Sequence, residues 1–431
     1  MYAIVKLSFV TISLCTILVA CNACGVSRTK AGSVPLAETT DTVSHLSLGN
    51  VEGQTILITR LVDFGGKQCY MPEGYTLEFR GGCLKNGTLK GNKTRIISSA
   101  KAFLDHITIK GSWDVPEISS EFFKDLSYDN AVRNVVALSN PGIQNKIVIK
   151  EGVYPVSVQR ASETCLLIGS NTEFVLNGTI RLVPNDFKSY YIVKIEGENV
   201  DAHGNGTIIG DKDSHTGNTG EWGMGIEIDG ARNAFVSGLT IKDCWGDCIY
   251  IGGDSKKVTI ENCVLDNGRR QGVSITSADS VTIRNCTISN VGGTNPEYAI
   301  DVEPNINCSI DHVLIENVVV HNCVGGIVTS KGRSDYEKKR IGEVRVINCT
   351  SSAISKSPIR IKRCEKAIVE GCTVYDNRIK PAISTDYSIE VSIENNTIIN
   401  NSSTKKRKSK LSSVRIVGAE KQMEYNNRIV E

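Results

Sequence analysis

Asp301 and Glu303 stand two residues apart in YAIDVEPN, the stretch from Tyr298 to Asn305, and Pro304 follows them directly. In an extended segment residues i and i+2 share a face, so the two carboxyls lie side by side, with Cα atoms roughly 6.5–7 Å apart. Pro304 can end such a strand without forfeiting a ladder hydrogen bond. Two close carboxyls repel, which raises one pKa and lets a protonated acid sit beside an ionised carboxylate. Glycosidic hydrolysis needs that pair, and same-strand separations of about 5–9 Å suit both stereochemical outcomes. Outward carboxylates also simply solvate a strand face, so the neighbours decide between the two readings.

Those neighbours come from a column of similar segments: GIEID from 225, CIYIG from 248, GVSIT from 272, AIDVE from 299, GIVTS from 326 and PIRIK from 358. Branched apolar residues alternate with residues that must face away from the core. The first outward column reads Glu227, Tyr250, Ser274, Asp301, Val328, Arg360, and the second reads Asp229, Gly252, Thr276, Glu303, Ser330, Lys362. Trp222, Trp245, Asp247, Arg270 and Gln271 stand near the strand starts. Asp301, Glu303 and Asp247 are the candidate catalytic acids. Arg270, Gln271, Tyr250, Trp222, Trp245, Glu227, Arg360 and Lys362 are candidates for substrate binding. Exposed rings stack on sugar faces, while charged groups fix hydroxyls or carboxylates, so the column predicts a groove for an extended polysaccharide or oligosaccharide.

The elements that hold this column repeat. LTIKDC ends at Cys244, VTIENC at Cys263, VTIRNC at Cys286, VVVHNC at Cys323, VRVINC at Cys349, AIVEGC at Cys372 and VSIENN at Asn396, at intervals of 19, 23, 37, 26, 23 and 24 residues. A short period with β-branched alternation, broken by Gly and Asn, predicts stacked coils of parallel strands, and the long interval predicts an inserted loop or short coil. The Asn before each Cys should stack as an amide ladder, and the Cys should point inward as a small hydrophobe. The fold class is therefore all-β, a parallel β-helix. The expected limits are a β segment over 46–114, the β-helix over 115–400, and a cap with a basic tail over 401–431.

Bulk properties agree. The 431 residues are 40% hydrophobic and 22% charged, with a net charge of +2, which gives no reason to expect nucleic acid as a partner. Lys405 to Lys408 reads as a solvated basic tail. Residues 1–20 read as a signal peptide whose apolar run is too short for a comfortable membrane span. LVAC, Leu18 to Cys21, resembles a bacterial lipobox, which implies lipidation at Cys21, a tether over 21–45, and a protein anchored to the membrane of the cell envelope. The fifteen cysteines show no paired CxxC motifs, so no zinc site is expected, and the cysteine column should be free buried thiols.

The coils resemble the pectate-lyase-like superfamily, and the resemblance implies a single-stranded right-handed parallel β-helix with a short N-terminal capping helix. SYDNAVRNVVALSNPG, Ser127 to Gly142, is similar to the helix that caps their first coil, and KIVIKEGVYPV to their first strand and turn. WGDCIYI, from Trp245, resembles an element of the polygalacturonase-like glycoside hydrolases, and RQGVSITS, from Arg270, resembles another. The chain departs from those hydrolases where Gly246 replaces an aspartate, Gln271 replaces a histidine, and EWGMGI stands for their NTD motif. By coil count their RIK strand aligns with IDVE, not with Arg360 to Lys362. Three readings stay open: a glycoside hydrolase, which leads; a polyuronide lyase or epimerase; and a non-catalytic glycan-binding solenoid. No cofactor is expected for hydrolysis. Under the lyase reading Ca²⁺ is possible at Asp247, Asp301 and Glu303, with Arg270, Arg360, Lys362 or Tyr250 as bases or charge partners.

Overall fold

The computed structural model describes residues 41–330, 340–377, 381–399 and 413–430. Cys21, the leader and the Lys405–Lys408 run lie outside these residues. From Glu117 onward the chain winds through three parallel sheets of 13, 11 and 10 strands. Each turn of the solenoid contributes one strand to each sheet. One coil, for example, runs through Tyr298–Val302, Ser309–Glu316 and Val319–His321.

Identical positions recur one strand spacing apart. Val258 pairs in register with Val281, then Val313, then Val344. Ile260, Ile283, Ile315 and Val346 form the next column, and all eight side chains are buried. A single coil would leave this apolar face in water, whereas stacking makes it a continuous core.

Turns explain the asparagines. Asn262, Asn285, Asn317, Asn348 and Asn395 all have φ between 52° and 56°, a left-handed conformation that asparagine tolerates better than most residues. Asn317 donates to the Asn285 side-chain oxygen at 3.2 Å, and Asn426 to that of Asn395 at 2.9 Å, forming the expected ladder. The cysteine alignment, however, merges two columns. Cys263, Cys286, Cys349 and Cys372 follow one turn, and Val318 occupies that place in the long coil. Cys244 and Cys323 follow a second turn, where Asp243 and Asn322 hold φ of 56° and 51°. There Asn322 donates to Asn290 at 2.8 Å. Both turns demand a left-handed residue followed by an inward small apolar one, so their sequences read alike.

The twelve described cysteines are all free, and Cys263, Cys286 and Cys349 are buried. The Cys286 thiol first, and burial second, push the Cys263 thiol up. The Cys349 thiol does the same to Cys372.

Before the coils, strands from Thr42–Val43 to Leu104–Trp113 make a separate eight-stranded sheet. The short helix is Arg133–Val136. It packs on Leu104–Trp113 and on Glu163–Ile168, where Arg133 reaches Glu163 at 2.8 Å. At the other end, Val414–Val417, Lys421–Tyr425 and Arg428–Val430 pair on the preceding strands and add one more coil.

Candidate active site

The ten-stranded sheet carries the expected column in the expected register: Glu227 pairs with Tyr250, Tyr250 with Ser274, Ser274 with Asp301, Asp301 with Val328, and Val328 with Arg360. Asp301 stands in this column, whereas the strand ends at Val302 and Glu303 follows it, its N–H donating to the Ile275 carbonyl at 2.9 Å. The face of the column is less open than the alternation implied, because Asp247, Asp301 and Gln271 have at most 1% of their surface exposed. Each is covered by polar neighbours. Arg270 Nη1 lies 2.9 and 3.3 Å from the two Asp247 oxygens. Ser274 Oγ donates to Asp247 Oδ2 at 2.6 Å, and Gln271 Nε2 donates to Asp301 Oδ2 at 2.8 Å. Arg270 thus serves Asp247 through one nitrogen, and Gln271 serves Asp301.

Above these groups lies a groove of about 260 Å³. Its walls include Tyr191, Trp222, Glu227, Tyr250, Arg270 and Glu303. Trp222 is 47% exposed, Glu303 half-buried and Glu227 only 7% exposed. Tyr250 is fixed by Thr276, whose Oγ1 lies 2.8 Å from its hydroxyl, and by Asn305, whose Nδ2 donates to that hydroxyl at 3.3 Å. Several buried atoms here have no hydrogen-bond partner: Asp301 Oδ1, Gln271 Oε1 and Arg270 Nε.

The electrostatics follow from burial. Burial pushes the Asp301 carboxyl up to about 7, and the Glu303 charge adds to it, against the opposing Ser330 hydroxyl and Arg270 charge. Burial likewise pushes Asp247 up to about 6, although Arg270 and Ser274 pull it down. Glu227 is raised by burial against the Lys194 ammonium, whose nitrogen lies 3.3 Å away. For Arg270, burial would lower the pKa, but the charges of Asp247, Glu221, Glu303 and Asp301 outweigh it and hold the guanidinium up.

Three expected groove residues lie elsewhere. Trp245 is 8% exposed and stacks 3.9 Å from the His215 ring, with the Arg269 guanidinium 3.7 Å over its own ring. The His215 side chain is buried, its Nδ1 is 2.8 Å from Asp211, and Tyr190 hydrogen-bonds the same carboxylate. The segment between Thr207–Ile209 and Trp222–Asp229 supplies this buried partner. Arg360 binds Asp386 through Nε and Nη2 at 2.9 and 2.7 Å, since the next coil offers the nearer carboxylate. Lys362 pairs in register with Asp386 and does not line the groove. Conversely, Tyr191 and Lys194 were not anticipated. Their signal was one coil upstream in YYIVKI, where Lys194 pairs in register with Glu227.

Among the described residues no group of three or more His, Cys, Asp or Glu side chains is arranged to hold a metal. A Ca²⁺ ion at Asp247 and Asp301 would have to displace the Arg270, Ser274 and Gln271 donors.

Residues 183–341 match the family model described as a right-handed β-helix region. Two curated Bacillus subtilis (strain 168) relatives are both uncharacterised. YclG is 30% identical over 198 residues, 40% of this chain and 33% of that protein. The prophage-derived YorA is 26% identical over 262 residues, 55% of this chain and 39% of that protein. The chain thus spans between a third and two fifths of the length of these relatives. Among solved structures, the A-module of the mannuronan C-5 epimerase AlgE6 from Azotobacter vinelandii is similar, with 14% identity and a TM-score of 0.47. The match covers 71% of this chain and 95% of that one. That likeness is one of fold. Together with the sheet topology, the family match makes the coils a right-handed parallel β-helix.

Proposed function

We propose that this β-helix protein processes a polysaccharide and that its groove is the active site of a glycoside hydrolase. The observation that carries this reading is the Asp301–Glu303 pair. Glu303 lines a groove with an exposed indole and two tyrosines, and Asp301, directly beside it, holds a proton up to a pH of about 7. Hydrolysis needs a proton delivered to the glycosidic oxygen as its bond to the anomeric carbon breaks, while a carboxylate assists the incoming water or forms the glycosyl bond itself. Below pH 7 the Asp301 carboxyl carries a proton beside Glu303. Glu303 is the member that faces substrate, and Asp301 keeps the proton close. Asp247 and Arg270 act from behind: the ion pair fixes the guanidinium at the groove wall.

A glycan-binding solenoid without catalysis is the second reading, and the complete burial of Asp301 favours it. The lyase reading has less support, because Arg270, the single cation among the groove-lining residues, is already paired with Asp247. Reducing-end release and unsaturated-uronate absorbance, followed side by side on a panel of polysaccharides, separate the three. Hydrolysis gives new reducing ends without unsaturation. Unsaturated products would replace it with the lyase, and retention of glycan with no new ends would leave the binder.

A further inference from the structure

Two buried oxygens without a partner sit on two side chains that already touch. Gln271 Nε2 donates to Asp301 Oδ2 at 2.8 Å, while Gln271 Oε1 and Asp301 Oδ1 have no hydrogen-bond partner. Both residues have at most 1% of their surface exposed, and an unpaired buried acceptor is costly. The amide and the carboxyl are planar forks, so joining one tine of each leaves a second bond available beside the first. In the ionised form that bond is impossible, because a carboxylate only accepts and the amide has a single donating end. Turning the amide over exchanges its nitrogen and oxygen but again leaves one oxygen facing an oxygen. A proton on the carboxyl removes the conflict in either orientation. The backbone at Gln271 is held on both sides: Cys248 N–H donates to its carbonyl at 3.0 Å, and Gly272 N–H donates to the Tyr298 carbonyl at 3.1 Å.

We propose that Asp301 carries its proton on Oδ1 and donates it to Gln271 Oε1, closing a ring of two hydrogen bonds, and that Gln271 is thereby the positioning residue that keeps this proton on Asp301 and away from Glu303. The place of the proton stands on the geometry of the two forks; its use in the active site rests on the hydrolase reading above. Glutamine suits the position because it offers donor and acceptor in one plane and does not titrate. The surrounding groups divide. Glu303, just past the strand end, and Asp247 favour the neutral acid, whereas Arg270 and the Ser330 hydroxyl favour the ionised form. Tyr298, at the start of the same strand, and Lys362 also feel the Asp301 charge. Burial is the largest influence and keeps the proton on Asp301 up to a pH of about 7. Below that pH the ring satisfies both orphaned oxygens with one proton.

Neutron diffraction from deuterium-exchanged crystals of the full chain at pH 6 locates the proton without altering a residue. The expected result is a deuteron on Asp301 Oδ1 pointing at Gln271 Oε1, with the two oxygens about 2.5–3.0 Å apart, and none on Glu303. A bare Asp301, a deuteron on Glu303 instead, one turned towards Ser330, or a water bonded to both orphaned oxygens would overturn the proposal. Infrared spectra at pH 6 supply a second readout. The carboxylic C=O band that Asp301→Asn deletes belongs to Asp301. Gln271→Leu should move that band to higher frequency, because both bonds to the acid are gone; a band that stays in place would overturn the role of Gln271. If the deuteron sits as proposed in a protein that releases no reducing ends from any glycan, the hydrolase reading falls and the acid–amide ring stands.

Discussion

Asp301→Asn should make the protein less sensitive to alkaline pH. In the fold the Asp301 carboxyl is buried and its pKa is raised from 3.8 to about 7. A raised acid binds its proton more tightly in the native state, so stability is full below the unfolded pKa and is lost as pH rises towards the folded one. The complete loss is about 4 kcal/mol once pH passes the folded value, taking roughly three pK units at 1.36 kcal/mol each. Between pH 5 and pH 8 the same relation gives a fall of about 2.5 kcal/mol. Asparagine cannot ionise, yet its oxygen still accepts the Gln271 N–H, and its nitrogen takes the place of an oxygen that already lacks a partner. Urea unfolding of both proteins at the two pH values reads the difference directly. The unaltered protein should lose about 2.5 kcal/mol more than the variant over that interval. Equal pH slopes would show that Asp301 ionises freely, and the argument from burial would fail.

Other outcomes follow from the same geometry. Arg270→Ala leaves Asp247 buried without its cation and should cost about 3–5 kcal/mol. The cost should be greater at pH 8 than at pH 5, because Asp247 can protonate below about 6; an equal loss at both values would deny the ion pair. Cys263→Ser should cost about 1–3 kcal/mol, and native Cys263, Cys286 and Cys349 should react slowly with a thiol reagent but quickly after denaturation; rapid native labelling would contradict the register. Trp222→Ala should weaken glycan binding by about tenfold with little change in unfolding, because the indole is half in solvent; unchanged binding would take Trp222 out of the groove's recognition surface.

How much of this was legible depends on what each position must satisfy. The outward column from Glu227 to Arg360 was readable, because period-two alternation leaves only one way to stack GIEID, CIYIG, GVSIT and AIDVE. The free cysteines were readable because a small inward residue is all that a tight turn accepts. The two turn columns were not separable, since Asp243–Cys244 and Asn262–Cys263 meet the same backbone demand. Burial of the acids was also hidden: alternation tells which way Asp301 points, not that Gln271 and the neighbouring coil close over it. Trp245 shows the same gap, for its partner His215 is 30 residues away in sequence and 3.9 Å away in space. Arg360 matched a familiar motif in letters, yet Asp386 on the next coil takes it.

The central claim is that Asp301 and Glu303 act as one proton-sharing pair at the groove. The most direct measurement is kcat/KM for reducing-end release by Asp301→Asn, Glu303→Gln and the double variant, each verified as folded. Each single change should lower the rate by about 10² to 10⁴, and the double change should cost little more than the worse single one, because the second residue has no function once the first is gone. Multiplying losses, or near-normal rates in both single variants, would contradict the account.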